Sequence, residues 1–398
     1  MLTFEEAQQA LLAMAEPSSH ERVAVALCGG RVLAEDLVAG RDWPAFDASA
    51  MDGYAVRASD LADAAASLPI AGESRTGAPL AQPMLPRTTC RIFTGAMLPE
   101  GADAVVMQED VQVTSGVAAF GRSARPGQHI RKRGEDLRAG EIAAPRGSRL
   151  GPAHLSLAAT LDRRDLLVAT RPRVAVLATG DELRDPGCAG PDGSIPESNG
   201  VAIAEMIARA GGTAILLPRA RDVLAEVTAA IASALESCDV LVSIGGVSVG
   251  DYDVVRPALE AAGATLDFWK VAIKPGKPIC VGRAGRKIVL GLPGNPASAM
   301  VTFALFGVPL IRKMQGDRAP HPKPWRGTLT HDHARAPGRL EFARAVVGGG
   351  DVTLVRHQAS GAALGLASAN ALALIPPDVA QLRRGDPLNL IAFSELGL

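Results

Sequence analysis

The stretch Asp239 to Asp253, DVLVSIGGVSVGDYD, constrains the fold more than any other part of the chain. Val240, Leu241, Val242, Ser243 and Ile244 form a short apolar run, closed by Asp239 before it and Gly245-Gly246 after it. Such a run reads as a buried strand of a parallel sheet. A helical pattern starts at Val254, so the glycines lie between a strand and a helix. In that position backbone N–H groups can approach an anion closely. Asp251 and Asp253 cannot serve an anion directly, but they can hold Mg²⁺, which bridges to phosphate oxygens. The expectation is a phosphate-plus-metal site at the C-terminal edge of a sheet, where open α/β folds bind ligands. The same residues also fit a tight glycine turn with solvated aspartates.

From residue 171 strands and helices alternate. Strands are predicted at 174–177, 214–217, 240–244, 268–273 and 287–290, and helices at 200–210, 222–235 and 254–263. Ser198-Asn199 and Asp222 are placed to open the first two helices. Asn295 suits an N-cap and Pro296 the first position of a helix running to about residue 314. This is a doubly wound α/β domain. Loops that follow its strands should open on one edge. They carry Glu182, Asp251 and Asp253, the amines of Lys274 and Lys277, the hydroxyls of Ser248 and Ser298, and the Pro293-to-Pro296 turn at a helix start. That convergence favours a phosphate and Mg²⁺ site. The absence of G-x-G-x-x-G and of a Walker lysine motif argues against a standard dinucleotide or P-loop site.

The flanks differ in texture. Thr3 with Glu6 forms a capping-box pattern before Phe4, Ala7, Ala10, Leu11 and Met14 at helical spacing. Residues 21–40 read as a helix-to-strand connector. WPAFDASAMDGY (43–54) is aromatic-rich for a loop, which fits either a packed Ω-loop or a segment pinned to a ligand, with Asp52 its foremost reactive group. Residues 54–140 are β-rich, with Thr94 opening a long polar turn. The cluster Arg131-Lys132-Arg133-Gly134-Glu135-Asp136 fits a solvated β-turn, or a basic fork oriented by Asp136 toward an anion. Residues 147–163 return to helix. The expected domains are therefore a linking domain (1–40 and 141–170) interrupted by a β-rich insertion (41–140), the α/β domain (171–317), and a small β-barrel or sandwich (318–398) with strands at 327–330, 344–347, 352–355, 371–375 and 387–392.

Composition narrows the function. A chain of 398 residues is long enough for several domains. A formal charge of -1 and 4% aromatics argue against nucleic acid as a partner. The five cysteines are far apart with no C-x-x-C, so neither a zinc site nor a disulfide framework is indicated. The acidic, amphipathic N-terminus does not read as a signal peptide, and no apolar run looks long enough to span a membrane. A cytoplasmic protein is expected.

The motifs PAFDASAMDGYAV, FTGAMLPEGADAVVMQED, RKRGEDL, LATGDEL, SIGGVSVGDYD, AIKPGKP, GLPGNPAS and HQASGAALGLASANAL occur in that order over nearly the whole chain. In these the chain resembles the molybdopterin molybdenumtransferase family, which includes the E domain of gephyrin. The resemblance implies a homodimer of four-domain subunits with an adenylyltransferase-like α/β domain. It implies Mg²⁺-dependent insertion of molybdate into adenylylated molybdopterin, with release of AMP. Carried over by motif, Glu182 and Asp253 would bind Mg²⁺. Ser248, Lys274, Lys277, Pro293, Pro296 and Ser298 would border the molybdate and nucleotide pocket, joined by Arg339 and Ser360 from the C-terminal domain. Asp52 and Thr94 would act from the partner subunit, and Asp136 and Asp222 are further family sites. The adenylyltransferase of the preceding step and apo-molybdoenzymes are possible contacts. Two rival readings are adenylylation of molybdopterin itself, which would not need residues 1–170 or 318–398, and a non-catalytic carrier or scaffold for the cofactor.

Overall fold

Val240–Ile244 sits at the centre of a six-stranded sheet in the computed structural model, which describes residues 1–62, 65–246 and 254–398. The strand order is Thr213–Leu216, Arg173–Ala178, Val240–Ile244, Lys287–Leu292, Pro278–Ala284, Thr265–Lys270. The first four run parallel and the last two antiparallel. Successive side chains of a strand face opposite sides, and here each side has its own core. Val174 and Val176 join one core with Val240, Val242, Ile288 and Leu290. Ala175 and Leu177 join the other with Leu241 and Val289. Helices Phe4–Ala13, Asn199–Ala210 and the long segment Pro296–Met314 cover the first face. Leu224–Ser237 and Val255–Ala261 cover the second. Layers of helix on both faces make this the doubly wound α/β arrangement that the periodicity implies.

Helix starts follow local chemistry only in part. The Thr3–Glu6 capping box forms in full, Thr3 N donating to Glu6 Oε2 at 2.9 Å and Glu6 N to Thr3 Oγ1 at 3.2 Å. Asp222 does not cap the next-door helix, which begins at Leu224. Ser198 makes no side-chain cap either, and Glu197 Oε1 instead accepts from Gly200 N at 2.8 Å. Pro296 takes the first helical turn as expected, whereas the Asn295 side chain turns elsewhere.

Pro296–Met314 is long and apolar enough to cross a membrane, contrary to the sequence expectation, but 83% of its apolar window is buried within the fold. It contains a π-helical turn, Phe303–Gly307, in which the Phe303 ring lies over Gly307: a Cβ there would stand 2.3 Å from the ring. Pro309 has no N–H to return to the carbonyl four residues back. That carbonyl, Leu305 O, accepts from Gln8 Nε2 at 2.8 Å. Phe4 of the same N-terminal helix packs edge-on against Phe306 and Phe342, at 5.6 and 5.1 Å.

The C-terminal strands close into a five-stranded barrel. Leu340–Gly348 pairs with Asp351–Leu354, which pairs with Trp325–Leu329, then Pro387–Ala392, then Ala371–Ile375, which returns to Leu340–Gly348. Ile273–Lys274 adds to this ring beside Leu340 and Glu341.

The chain divides into two compact units: Met1–Ala34, Arg146–Gly151 and Leu166–Leu398 in one, Glu35–Pro145 and Pro152–Asp165 in the other. The second is built on its own six-stranded sheet, in the order Ala104–Met107, Gly53–Val56, Thr89–Ile92, Ser67–Ser74, Val117–Phe120, Val111–Thr114. The β-rich reading of residues 54–140 agrees with this sheet.

Candidate active site

Backbone bonds tie together the loops that leave the parallel strands. Thr179 N donates to Ile244 O at 3.0 Å, and Gly245 N to Leu292 O at 3.1 Å, so the ladder continues one residue past each strand. Beyond it the chains part around a cavity of about 410 Å³, lined by Thr179, Gly180, Glu182, Asn199, Asp222, Gly245, Gly246 and the Pro293–Pro296 turn. Gly245 and Gly246 are fixed by sterics. Both have positive φ (92° and 60°), and an added Cβ would stand 2.6 Å from Thr179 O or 2.3 Å from Val255 Cγ2. Asn199 Nδ2 donates to Gly294 O at 2.8 Å and holds the opposite wall.

Glu182 and Asp222 line one end, and the Asp181 charge is felt by Asp222. Asp181 Oδ1 accepts from Asp222 N at 3.1 Å, and Glu182 follows it in the chain. Burial and then the negative charge of Asp181 and Glu182 push the Asp222 carboxyl above its ordinary range. Thr179 Oγ1 and Asn199 Oδ1 are buried here with no hydrogen-bond partner among the described residues. A corner with surplus negative charge and unpaired polar atoms suits a cation better than an apolar group. Among the described residues no three His, Cys, Asp or Glu side chains form a ready metal cluster. Asp253 and Ser248 lie outside the described residues.

Of the other sequence-predicted residues in this unit, Pro293 and Pro296 line the cavity, and Ser298 is buried in the helix that starts there. Ser360 joins them indirectly: its Oγ accepts from Asn295 Nδ2 at 3.1 Å and its carbonyl from Ala297 N at 3.0 Å. The lysine loop contributes Pro278 to the lining, but not Lys274 or Lys277. Lys274 Nζ instead lies 2.9 Å from Glu341 Oε1, and Glu341 Oε2 lies 3.0 Å from Arg335 Nη1. The side chains of Glu341 and Arg335 are each only 3% exposed. Arg339 Nη1 donates to Ile273 O at 3.2 Å, at the foot of the same loop. The sequence reading missed Glu341 and Arg335. The available signal was an acid set between Leu340 and Phe342 in a strand whose only other charged residue is Arg344.

The second unit holds Asp52, Thr94 and Asp136. Asp52 Oδ1 accepts from both Thr94 N and Thr94 Oγ1, each at 2.7 Å. These bonds, the backbone one foremost, hold the Asp52 carboxyl below its ordinary range. Asp136 Oδ2 accepts from Arg131 Nη2 at 2.7 Å, the orienting contact the sequence suggested. The rest of that basic cluster is committed internally: Lys132 Nζ is 2.8 Å from Asp47 and Arg133 Nε 2.6 Å from Asp42.

Comparison with known proteins agrees with this architecture. Residues 2–161 match the MoeA N-terminal region (domain I and II), 175–313 a probable molybdopterin binding domain, and 326–393 the MoeA C-terminal region (domain IV). A molybdopterin molybdenumtransferase of Haemophilus influenzae is 38% identical, over 86% of this chain and 85% of its own. Molybdopterin molybdenumtransferase 2 of Mycobacterium tuberculosis is 36% identical, over 98% of this chain and 99% of its own. The crystal structure of a molybdopterin biosynthesis moeA protein from Pyrococcus horikoshii OT3 superposes with a TM-score of 0.87 at 28% identity, covering 98% of this chain and all of that one. The sheet-edge cavity, the closed barrel and these matches along the whole chain together establish that the protein belongs to the molybdopterin molybdenumtransferase family.

Proposed function

We propose that this chain inserts molybdate into adenylylated molybdopterin, releasing AMP and forming molybdenum cofactor. The observation that carries the reading is the cavity at the strand ends, which gathers Glu182, Asp222, the Gly245-Gly246 pair and the Pro293–Pro296 turn. Glu182 and Asp253 would hold Mg²⁺, which would supply positive charge to polarise the phosphoanhydride. The surplus negative charge around Asp222 supports a divalent cation at this corner.

The chain's own side chains would do the rest. The backbone N–H groups of Gly246 and of Ser298, in the first turn after Pro296, bind and orient phosphate oxygens. Lys277, which is exposed, and Lys274, once it exchanges Glu341 for an oxyanion, hold molybdate with the hydroxyls of Ser248 and Ser298. Ser360 keeps the Asn295 turn in place. In a homodimer, Asp52 and Thr94 would act from a second copy of the chain. Adenylylation from ATP is the weaker reading, because the family match extends over both flanks, at 2–161 and 326–393.

The test supplies adenylylated molybdopterin and molybdate with and without Mg²⁺ and follows AMP and metal-loaded cofactor. AMP should appear only with Mg²⁺, and Glu182→Ala should abolish it. Normal turnover by that variant would remove the metal assignment. Binding without turnover would leave a carrier.

A further inference from the structure

A second polar cavity lies at the other end of the same strands. Arg173 is the first residue of its strand, Lys287 the first of its strand, and Asp239 immediately precedes Val240–Ile244 between them. These three, with Arg171, Arg286 and the Glu16–Ser19 segment, line a cavity of about 480 Å³. That is the size of a small-molecule site, roughly 300–1,000 Å³. Because the strands are parallel, it opens on the edge opposite the proposed active site.

Its charges do not cancel internally. Glu16 is taken by Arg286, which grips its Oε2 through both Nε and Nη2. Asp239 Oδ2 accepts from the backbone N of Arg173 at 2.7 Å, and Lys287 Nζ donates to Cys238 O at 2.5 Å. No salt bridge is made by the guanidinium of Arg171 or Arg173 among the described residues. The two are separated by one proline, and both are exposed. Partial burial, with the nearby positive charge of Arg31 and Arg149, holds the Arg171 pKa below the usual guanidinium value, while Glu21 only partly offsets it. Ser18, Ser19 and Thr170 add hydroxyls to the wall.

We propose that this cavity binds a phosphate-bearing small molecule, its phosphoryl group held between the Arg171 and Arg173 guanidiniums. Forked guanidiniums match a tetrahedral oxyanion with paired, charge-assisted bonds. The site is separate from the active-site cavity and does not depend on the reaction assigned there.

Isothermal titration of the full chain with inorganic phosphate and with pyrophosphate, at low ionic strength, tests it. Saturable binding is expected. Arg171→Ser with Arg173→Ser should weaken it at least about tenfold. Arg171→Lys, which keeps the charge but not the fork, should give an intermediate affinity. Absence of saturable binding, or equal affinity in the double variant, would overturn the proposal. So would loss of binding in Lys277→Ser, which would place the anion at the other edge. If the arginines serve only to stabilise the fold, the double variant will melt earlier yet bind phosphate as before, and that too would overturn it.

Discussion

Asp52 and Asp222 are both aspartates, yet their surroundings drive their titrations in opposite directions. Asp52 faces two donors of Thr94, while Asp222 is half-buried beside two other acids. The folded pKa of Asp52 lies below its unfolded value. The stabilisation it confers is therefore present above the unfolded value, about 4, and is lost as pH falls through the folded one. Thr94→Val removes the hydroxyl donor but keeps the backbone N–H. An NMR titration should show the Asp52 carboxyl moving part of the way back up, and an unchanged value would refute the hydroxyl's share. At Glu341 the expected effect is on stability. Glu341→Ala leaves the Arg335 guanidinium buried without its carboxylate, and should lower stability by about 3 kcal/mol in denaturant melts. A loss under about 1 kcal/mol would mean that the pair is solvated. Sequence reading found Asp52 and Thr94 as separate motif residues, 42 positions apart, with nothing to show that they bond. It assigned Lys274 to an anion without seeing Glu341, because the strand pairing that brings Leu340–Glu341 alongside Ile273–Lys274 spans some 67 residues of chain.

Strands were more legible than helix ends. Period-two burial feeds both cores of the central sheet, so the runs at 174–177, 240–244 and 287–290 could be read directly. The sequence reading assigned no strand to Pro278–Ala284 and gave Gly282 no role. Its actual role is close approach: a Cβ there would stand 2.4 Å from Thr265 O of the neighbouring strand. The helix predicted to open at Asp222 begins two residues later, at Leu224, with the Asp222 N–H held by Asp181 Oδ1, whereas Ser198 does stand at the N-cap of its helix, without a side-chain bond. Two substitutions test elements. Gln8→Ala should deprive Leu305 O of its side-chain donor and cost about 1 kcal/mol in thermal melts. Gly246→Ala meets Val255 in a positive-φ conformation, so about 1–3 kcal/mol of strain is expected, together with weaker nucleotide binding by titration calorimetry. Wild-type affinity in a folded Gly246→Ala variant would detach this turn from the phosphate.

At the scale of the molecule, one apolar core joins the N-terminal helix, the central sheet, the Pro296–Met314 segment and barrel residues Phe342, Leu372 and Ile391. Phe306, fully buried between them, should cost about 3–5 kcal/mol when truncated to alanine, read as a drop in melting temperature. The multidomain fold class was legible from texture shifts alone, but the shared core was not, since it forms between segments hundreds of residues apart. The barrel's last strand, Pro387–Ala392, lies between Trp325–Leu329 and Ala371–Ile375. A ring has no selvedge. Cutting the chain at residue 386 would leave two raw margins of unpaired N–H and C=O groups, each a template for another chain. Light scattering should then find such a truncated protein clumping at concentrations where the intact one stays dispersed.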